Sequence, residues 1–91
     1  MTALVGEQVV LPCEAVGDPM PAVQWRRNHL TIDFFDMEHK YLREETGSLI
    51  IPHAEVVDTG RYYCIAENAA GRITREINFK VYGVLRSNYF F

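Results

Sequence analysis

Ninety-one residues are enough for one small domain, whose modest core would benefit from additional cross-links. Apolar residues make up 48% of the chain and charged residues 23%, a balance typical of a folded globular protein rather than a disordered one. The net charge of −3, with both signs interspersed, offers no basic stripe for nucleic acid, and no apolar run approaches the ~20 residues that cross a bilayer. We therefore expect no nucleic-acid partner and no membrane span in these residues.

The first half of the chain predicts short strands separated by turns. Residues 9–13 alternate at period two, and residues 17–21 end this strand because two prolines and a glycine cannot sit inside a ladder. Residues 22–26 predict a second strand, with Trp25 facing inward. The segment that follows has no clean period, and we expect a loop there with one edge strand near residues 41–43.

The second half is more regular. Leu49 and Ile51 face inward on a short strand, and one helical turn is expected within residues 53–57. Residues 61–67 then alternate, and residues 68–71 form a hairpin turn in which the glycine supplies a positive φ. A last strand follows, with Ile77, Phe79 and Val81 facing inward. Strands at roughly 8–12-residue spacing, without a long helix, predict a β-sandwich or barrel.

The two cysteines leave alternatives open at this point. Cys13 and Cys64 both fall on the inward faces of strands, and they lie 51 positions apart. Two such residues are compatible with a disulfide, with two buried thiols, or with a reactive or metal-binding role for Cys64.

Four motifs together carry a family resemblance. They are Leu11-Pro12-Cys13, Gly17-x-Pro19-x-Pro21-x-x-x-Trp25, Leu49-x-Ile51 and Asp58-x-Gly60-x-Tyr62-x-Cys64-x-Ala66-x-Asn68-x-x-Gly71. Over roughly positions 5 to 82 the sequence resembles an immunoglobulin domain and is most similar to the I-set. The resemblance implies an all-β, immunoglobulin-like β-sandwich of two antiparallel sheets with Greek-key connections, formed as a single domain by residues 1–82.

The resemblance also implies roles for several core residues. Cys13 and Cys64 would form a disulfide between the sheets, with Trp25 packed against it. The Tyr62 hydroxyl would bond to backbone within residues 54–58, and Leu49 and Asp58 complete the core signature. An aspartate in such a turn bonds local backbone or pairs with a basic residue, for which Lys40 and Arg43 are candidates.

Two features depart from the family pattern. The first strand is expected to be truncated, near residues 3–5, which leaves part of an open edge on the strand of Cys13, bearing Val10 and Pro12. Residues 83–91 match nothing in the family and are expected to form a C-terminal tail or linker.

The sequence predicts no catalytic residue, no cofactor and no metal site. His29, His39 and His53 lie too far apart for a paired zinc ligand, and no phosphate-binding or nucleophile motif occurs. We expect a protein that is not an enzyme.

The candidate partner face has two parts. Tyr63 and Ile65 form an apolar centre beside Gln24 and Arg26, an arrangement common in binding patches. The alternative is that Tyr63 simply packs on Arg26 across the strands. The second part is the pair Phe34 and Phe35, since adjacent aromatics cannot both face inward; alternatively, one fills the core and the other covers the sandwich edge.

The expected function is a non-enzymatic protein–protein interaction module of a multidomain extracellular adhesion, receptor or matrix protein. Its location would be extracellular or at the cell surface, since disulfides persist in oxidising compartments. The alternative is a structural I-set domain of an intracellular muscle or cytoskeletal protein, cytoplasmic and with reduced thiols. The expected partner is a protein, bound homophilically or heterophilically, and a weak homo-oligomer is a further hypothesis.

Overall fold

The computed structural model of the protein describes residues 1–34 and 40–83. Phe35, His39 and the expected tail beyond Gly83 lie outside the described residues. Within the described ranges the chain forms eight strands and one turn of 3-10 helix. In chain order these are β1 (Thr2–Leu4), β2 (Val9–Leu11), β3 (Ala22–Arg27), β4 (Leu30–Thr31), β5 (Leu42–Arg43), β6 (Leu49–Ile51), the 3-10 turn (Val56–Asp58), β7 (Gly60–Asn68) and β8 (Gly71–Tyr82).

The strands form two sheets, which confirms the predicted sandwich. The larger sheet has the order β1-β8-β7-β3-β4 and the smaller has the order β2-β6-β5, an arrangement consistent with Greek-key connections. β1 runs parallel to β8, with Thr2 opposite Lys80, whereas the other strand pairs of the described chain are antiparallel. β2 lies at an edge of the smaller sheet, as expected for the strand that precedes Cys13.

The β7–β8 hairpin is the longest paired element of the larger sheet. Its turn is closed by the Asn68 side chain, which accepts a hydrogen bond from the backbone N–H of Ala70 at 2.8 Å. Gly71 follows with a φ of +154°, a conformation that favours glycine. The turn fixes the register that places Asn68 opposite Gly71 and Cys64 opposite Arg75.

The core lies between the sheets and is built around a disulfide. Cys13 and Cys64 are bonded, with their Cα atoms 6.4 Å apart, so the sequence-based expectation of this disulfide is confirmed. Trp25 is fully buried and lies directly across the β3–β7 ladder from Cys64. The other largest buried side chains come from both sheets: Tyr62, Leu11, Leu49 and Ile51.

A tight turn before β6 covers the indole. The Trp25 Nε1–H donates to the carbonyl oxygen of Gly47 at 2.7 Å. Gly47 has a φ of +110°, and a Cβ atom there would lie 2.9 Å from the carbonyl oxygen of Cys13. Since both the dihedral angle and the space exclude a side chain, this position requires glycine. The adjacent Ser48 Oγ accepts a hydrogen bond from the backbone N–H of Cys13 at 3.0 Å.

Replacing Cys13 and Cys64 together by alanine should lower the free energy of unfolding by about 2–5 kcal/mol, because the unfolded chain loses a cross-link. Urea titration followed by fluorescence of Trp25, the single tryptophan, measures this loss. Reduced wild-type protein is the matched control, since it keeps both sulfur atoms in the core. An unchanged urea midpoint in the reduced protein would show that the bond contributes nothing to stability.

Candidate functional site

The outward side chains of three neighbouring strands form one surface, which we call the β7 face. It contains two cross-strand rows, set by the pairing of β3 with β7 and of β7 with β8. One row is Arg26, Tyr63 and Glu76, and the other is Gln24, Ile65 and Thr74. The structure therefore places four of the sequence-predicted partner residues side by side.

Two residues of the β7 face, Thr74 and Glu76, were not predicted from the sequence. Both follow from the register of the β7–β8 hairpin, which puts Thr74 opposite Ile65 and Glu76 opposite Tyr63. The signal was present in the Asn68–Gly71 turn, because a tight hairpin turn fixes the register of the strands that it joins.

The β7 face has a partly covered apolar centre and a polar border. Tyr63 and Ile65 are half-buried, whereas Gln24 and Arg26 are exposed. A shallow depression of about 240 Å³ lies over this centre, lined also by Thr74 and by the turn between β3 and β4. Apolar side chains at the middle of a polar patch are the arrangement in which contact residues contribute most to binding.

Charged side chains mark both ends of the outward row of β7. Near one end the Arg61 Nε atom lies 3.7 Å from Glu76, and near the other the Arg72 Nε atom lies 2.9 Å from Glu67. All four side chains are exposed, and pairs of this kind typically stabilise a fold by about 0–1 kcal/mol. Their contribution to folding is therefore small, and their charges remain accessible to a partner.

The turn between β3 and β4 is held against this face. Asn28 adopts a φ of +53° and donates its backbone N–H to the carbonyl of Arg61 at 2.7 Å. Its side-chain oxygen accepts the backbone N–H of Arg61 at 3.3 Å. These reciprocal bonds fix the backbone that carries Arg61.

Of the predicted pair Phe34 and Phe35, the described residue Phe34 does not join the β7 face. Phe34 is half-buried and packs against the hydrophobic core. The Arg43 guanidinium, on a strand of the smaller sheet, lies 5.8 Å from the centre of its ring. Phe35 lies outside the described residues. Phe34 therefore lies outside the β7 face.

Comparison with known proteins identifies the family. The profile of the immunoglobulin I-set domain matches residues 1–81. The chain is an immunoglobulin I-set domain.

Domains of several larger proteins resemble this I-set domain. Mouse hemicentin-1 is 35% identical over 82 residues, which are 90% of this chain and 1% of that protein. Neural cell adhesion molecule 1 of chicken is 37% identical over 89 residues, 97% of this chain and 8% of that protein. A solved structure of chimeric titin Z1Z2, functionalized with an exogenous KLER peptide from decorin, is 32% identical with a TM-score of 0.77 and covers 91% of this chain and 86% of that one. The I-set domain thus spans a small part of these curated relatives.

The loop before β7 carries the buried polar network of the I-set domain. The Tyr62 hydroxyl donates to the carbonyl oxygen of Asp58 at 2.6 Å. The carboxylate of Asp58, itself fully buried, accepts the backbone N–H of Glu55 at 2.8 Å and the Tyr41 hydroxyl at 3.3 Å. Lys40 lies 2.9 Å from the same carboxylate. These contacts of Asp58 hold the loop in place.

The two basic residues considered for Asp58 play different parts. Lys40 pairs with Asp58 and with Glu55, whereas Arg43 donates to the carbonyl of Val23 at 2.8 Å. Burial by itself lowers the pKa of Lys40, but the hydrogen bonds and charges of the two carboxylates outweigh burial and leave this pKa raised above its usual 10.5. Lys40 therefore stays charged through the neutral range.

Arg27 also contacts the loop before β7, a role that was not predicted from the sequence. Its guanidinium lies 6.0 Å from the centre of the Tyr62 ring and donates to the backbone carbonyls of Val57 and Thr59. The alternation that turns Trp25 inward and Arg26 outward puts Arg27 on the inner side of β3, but its contacts with Tyr62 and the loop before β7 depend on the fold.

A second concavity lies where the larger sheet extends beyond the cover of the smaller one. This cavity of about 580 Å³ is bordered by the disulfide, Ala66, Ile73 and Arg75. Ile73 lies opposite Ala66 in the ladder yet is 75% exposed, because little packs over this part of β8.

The described ranges show neither a metal-binding nor a membrane-spanning feature. Residues 1–34 and 40–83 contain no group of three or more His, Cys, Asp or Glu side chains arranged to hold a metal ion. The same residues contain no helix with the length and apolar character that a membrane crossing needs.

Tyr62→Phe should make the domain less stable at neutral pH and less sensitive to alkali. Burial, helped by the hydrogen bond with Tyr41, raises the pKa of Tyr62 above its usual value of 10.0. A raised pKa stabilises the fold below pH 10, and this contribution is lost as the pH rises further, because the unfolded chain ionises there and the folded one does not. At pH 7 the free energy of unfolding of the variant should be about 1–2 kcal/mol lower than that of wild type, because the Asp58 carbonyl lacks its donor. Above pH 10, the free energy of unfolding should fall less in the variant than in wild type.

Urea unfolding at pH 7, 9 and 11 measures both effects. Tyr63→Phe is the matched control, since it removes a hydroxyl from the adjacent outward position and should stay within about 0.5 kcal/mol of wild type at pH 7. Equal alkaline slopes for Tyr62→Phe and wild type would contradict the role given to the buried phenol.

Proposed function

We propose that this I-set domain is a non-enzymatic protein–protein interaction module of a multidomain extracellular adhesion, receptor or matrix protein. The observation that carries this proposal is the β7 face, where Tyr63 and Ile65 form an apolar centre within a border of charged and amide side chains. Residues 1–82 would form the folded unit, with residues 83–91 as a tail or linker to a neighbouring segment.

Binding energy on such a face would concentrate at Tyr63. Tyrosine is enriched among residues that dominate interfaces, because a large rigid ring buries much area at little cost in conformational entropy. Tyr63 is already half-covered by its neighbours and lies beside Arg26, which is another favoured residue type at interfaces. Ile65 extends the apolar centre along the same strand.

Two further observations support an extracellular location. The disulfide between Cys13 and Cys64 is the kind of bond that persists in oxidising compartments. Among the relatives is a protein whose name is neural cell adhesion molecule 1, which is 37% identical to this chain. We propose an extracellular or cell-surface location on these grounds.

The alternative function is that of a structural domain in an intracellular muscle or cytoskeletal protein. The likeness to the titin Z1Z2 structure supports it, at 32% identity and with most of that chain covered. In that setting Cys13 and Cys64 would be thiols, since the cytoplasm keeps cysteines reduced. The two proposals therefore differ in the redox state of one cysteine pair.

The redox state can be measured on protein isolated from its native cells. Alkylation of the denatured chain, with isolation in acid to block thiol exchange, should label no cysteine before reduction and both Cys13 and Cys64 after it. Mass spectrometry of the peptides reports the labels. Two labelled thiols without reduction would favour the intracellular alternative and overturn the extracellular location.

Tyr63→Ala should weaken partner binding by at least about tenfold, the effect expected when a central aromatic contact is removed. The measurement is flow cytometry of the purified domain, made tetravalent, on cells from tissues that express the parent protein. Ile73→Ala is the matched control because it removes a more exposed apolar side chain from the opposite side of the same sheet. Loss of binding by the control, with Tyr63→Ala unaffected, would move the proposed site to the cavity near the disulfide.

A further inference from the structure

The outward residues of β7 form an ordered sequence of charge and apolar character. Tyr62 and Cys64 are buried, so Arg61, Tyr63, Ile65 and Glu67 point to the outer side of the sheet. Read along the strand, these four residues are cationic, aromatic, aliphatic and anionic. The row is thus antisymmetric in charge about its midpoint, which lies level with Cys64.

An antisymmetric row is complementary to a second copy of itself. If two β7 faces meet across a two-fold axis that runs perpendicular to the strands at the level of Cys64, the two β7 strands lie antiparallel. Arg61 then faces Glu67 of the second copy, and Tyr63 faces Ile65 of the second copy. Because the axis is two-fold, each of these contacts occurs twice.

The neighbouring strand β8 extends the complementarity. At one end of the row, the cation Arg61 on β7 has the anion Glu76 on β8 nearby. At the other end the signs are exchanged, with Glu67 on β7 and Arg72 on β8. The same rotation therefore brings the Arg61–Glu76 pair of one copy near the Glu67–Arg72 pair of the other.

A two-fold axis along the strands gives the opposite result. It would place Arg61 on Arg61 of the second copy and Glu67 on Glu67, two like-charge contacts that oppose association. An axis along the strands would also place Arg26 on Glu76 of the second copy, but only the antiparallel arrangement avoids like-charge contacts along β7, so the β7 charges favour that orientation.

We propose that the partner of the β7 face is a second copy of this domain, docked face to face with the β7 strands antiparallel. This inference rests on the proposed function of the face as a protein-binding surface. The row from Arg61 to Glu67 is about 20 Å long and three strands are about 10–15 Å wide, so the flat contact covers about 300 Å² per copy. A stable complex of ordinary size buries about 800 Å² per partner.

The contact between two isolated domains is therefore weak, with a dissociation constant on the order of 10⁻⁴ to 10⁻³ M. Arrays of domains on two opposed surfaces would strengthen such a contact through multivalency rather than through additional area. Specificity in this arrangement comes from the opposite charges at the two ends of the β7 row.

Charge reversal tests the orientation. In the proposed dimer, residue 61 of each copy faces residue 67 of the other. Arg61→Glu or Glu67→Arg alone makes both of these contacts repulsive, so each single variant should associate at least about tenfold more weakly than wild type. The double variant Arg61→Glu/Glu67→Arg exchanges the signs and should return to within about threefold of wild type. An equimolar mixture of the two single variants should also associate, since the two carboxylates of one chain then face the two guanidinium groups of the other.

The measurement is sedimentation equilibrium of the 91-residue chain from about 0.05 to 1 mM at low and high salt, with circular dichroism to check that each variant folds. Glu45→Arg, an exposed site in the turn before β6, is the matched control and should associate like wild type. A wild-type chain that stays monomeric throughout overturns the inference, as does a double variant that remains as weak as the single ones.

Failure here is distinct from failure of the proposed function. If the chain is monomeric but Tyr63→Ala still abolishes binding of the tetravalent domain to cells, the β7 face binds a different protein. If neither self-association nor cell binding depends on Tyr63, both the inference and the proposed face are wrong.

Discussion

The bond between Cys13 and Cys64 is the constraint on which the remaining structure depends. It holds Cys64 in the interior, and since successive side chains of a strand point to opposite sides, it also determines the direction of every neighbour on β7. Tyr62 is thereby turned inward toward Asp58, and Tyr63 and Ile65 are turned outward. The binding surface that we propose is in this sense a geometric consequence of the buried cross-link, because no residue of the outer row needs to specify its own orientation.

The polar network before β7 complements this constraint. A fully buried carboxylate is costly unless it is paired and hydrogen-bonded, and Asp58 meets both conditions through Lys40, Tyr41 and the Glu55 backbone. The same loop receives the Tyr62 hydroxyl and the Arg27 guanidinium. The network therefore orients the loop at the start of β7, whereas the disulfide holds the middle of that strand. Together they leave the outer row little freedom to twist.

The sequence was sufficient for some of these features and insufficient for others, for physical reasons. The alternation around Tyr62 and Cys64 predicted both the sandwich and the outward position of Tyr63, because period-two burial is local information. The position of Glu76 beside Tyr63 on the β7 face depends on the register of β7 and β8. The parallel pairing of β1 with β8 depends on contacts between residues far apart in the sequence. The carbonyl of Gly47 as acceptor for Trp25 likewise arises only once the turn before β6 has closed over the indole.

The adjacent residues Tyr62 and Tyr63 have different consequences for the domain when they are replaced. Tyr62 is fully buried and bonded to the loop, so its replacement harms the fold whatever the domain binds. Tyr63 lies on the outer side of the sheet and touches little of the interior, so its replacement leaves the scaffold intact. With the proposed binding surface, the fold and the choice of partner would therefore be set by alternate residues of a single strand.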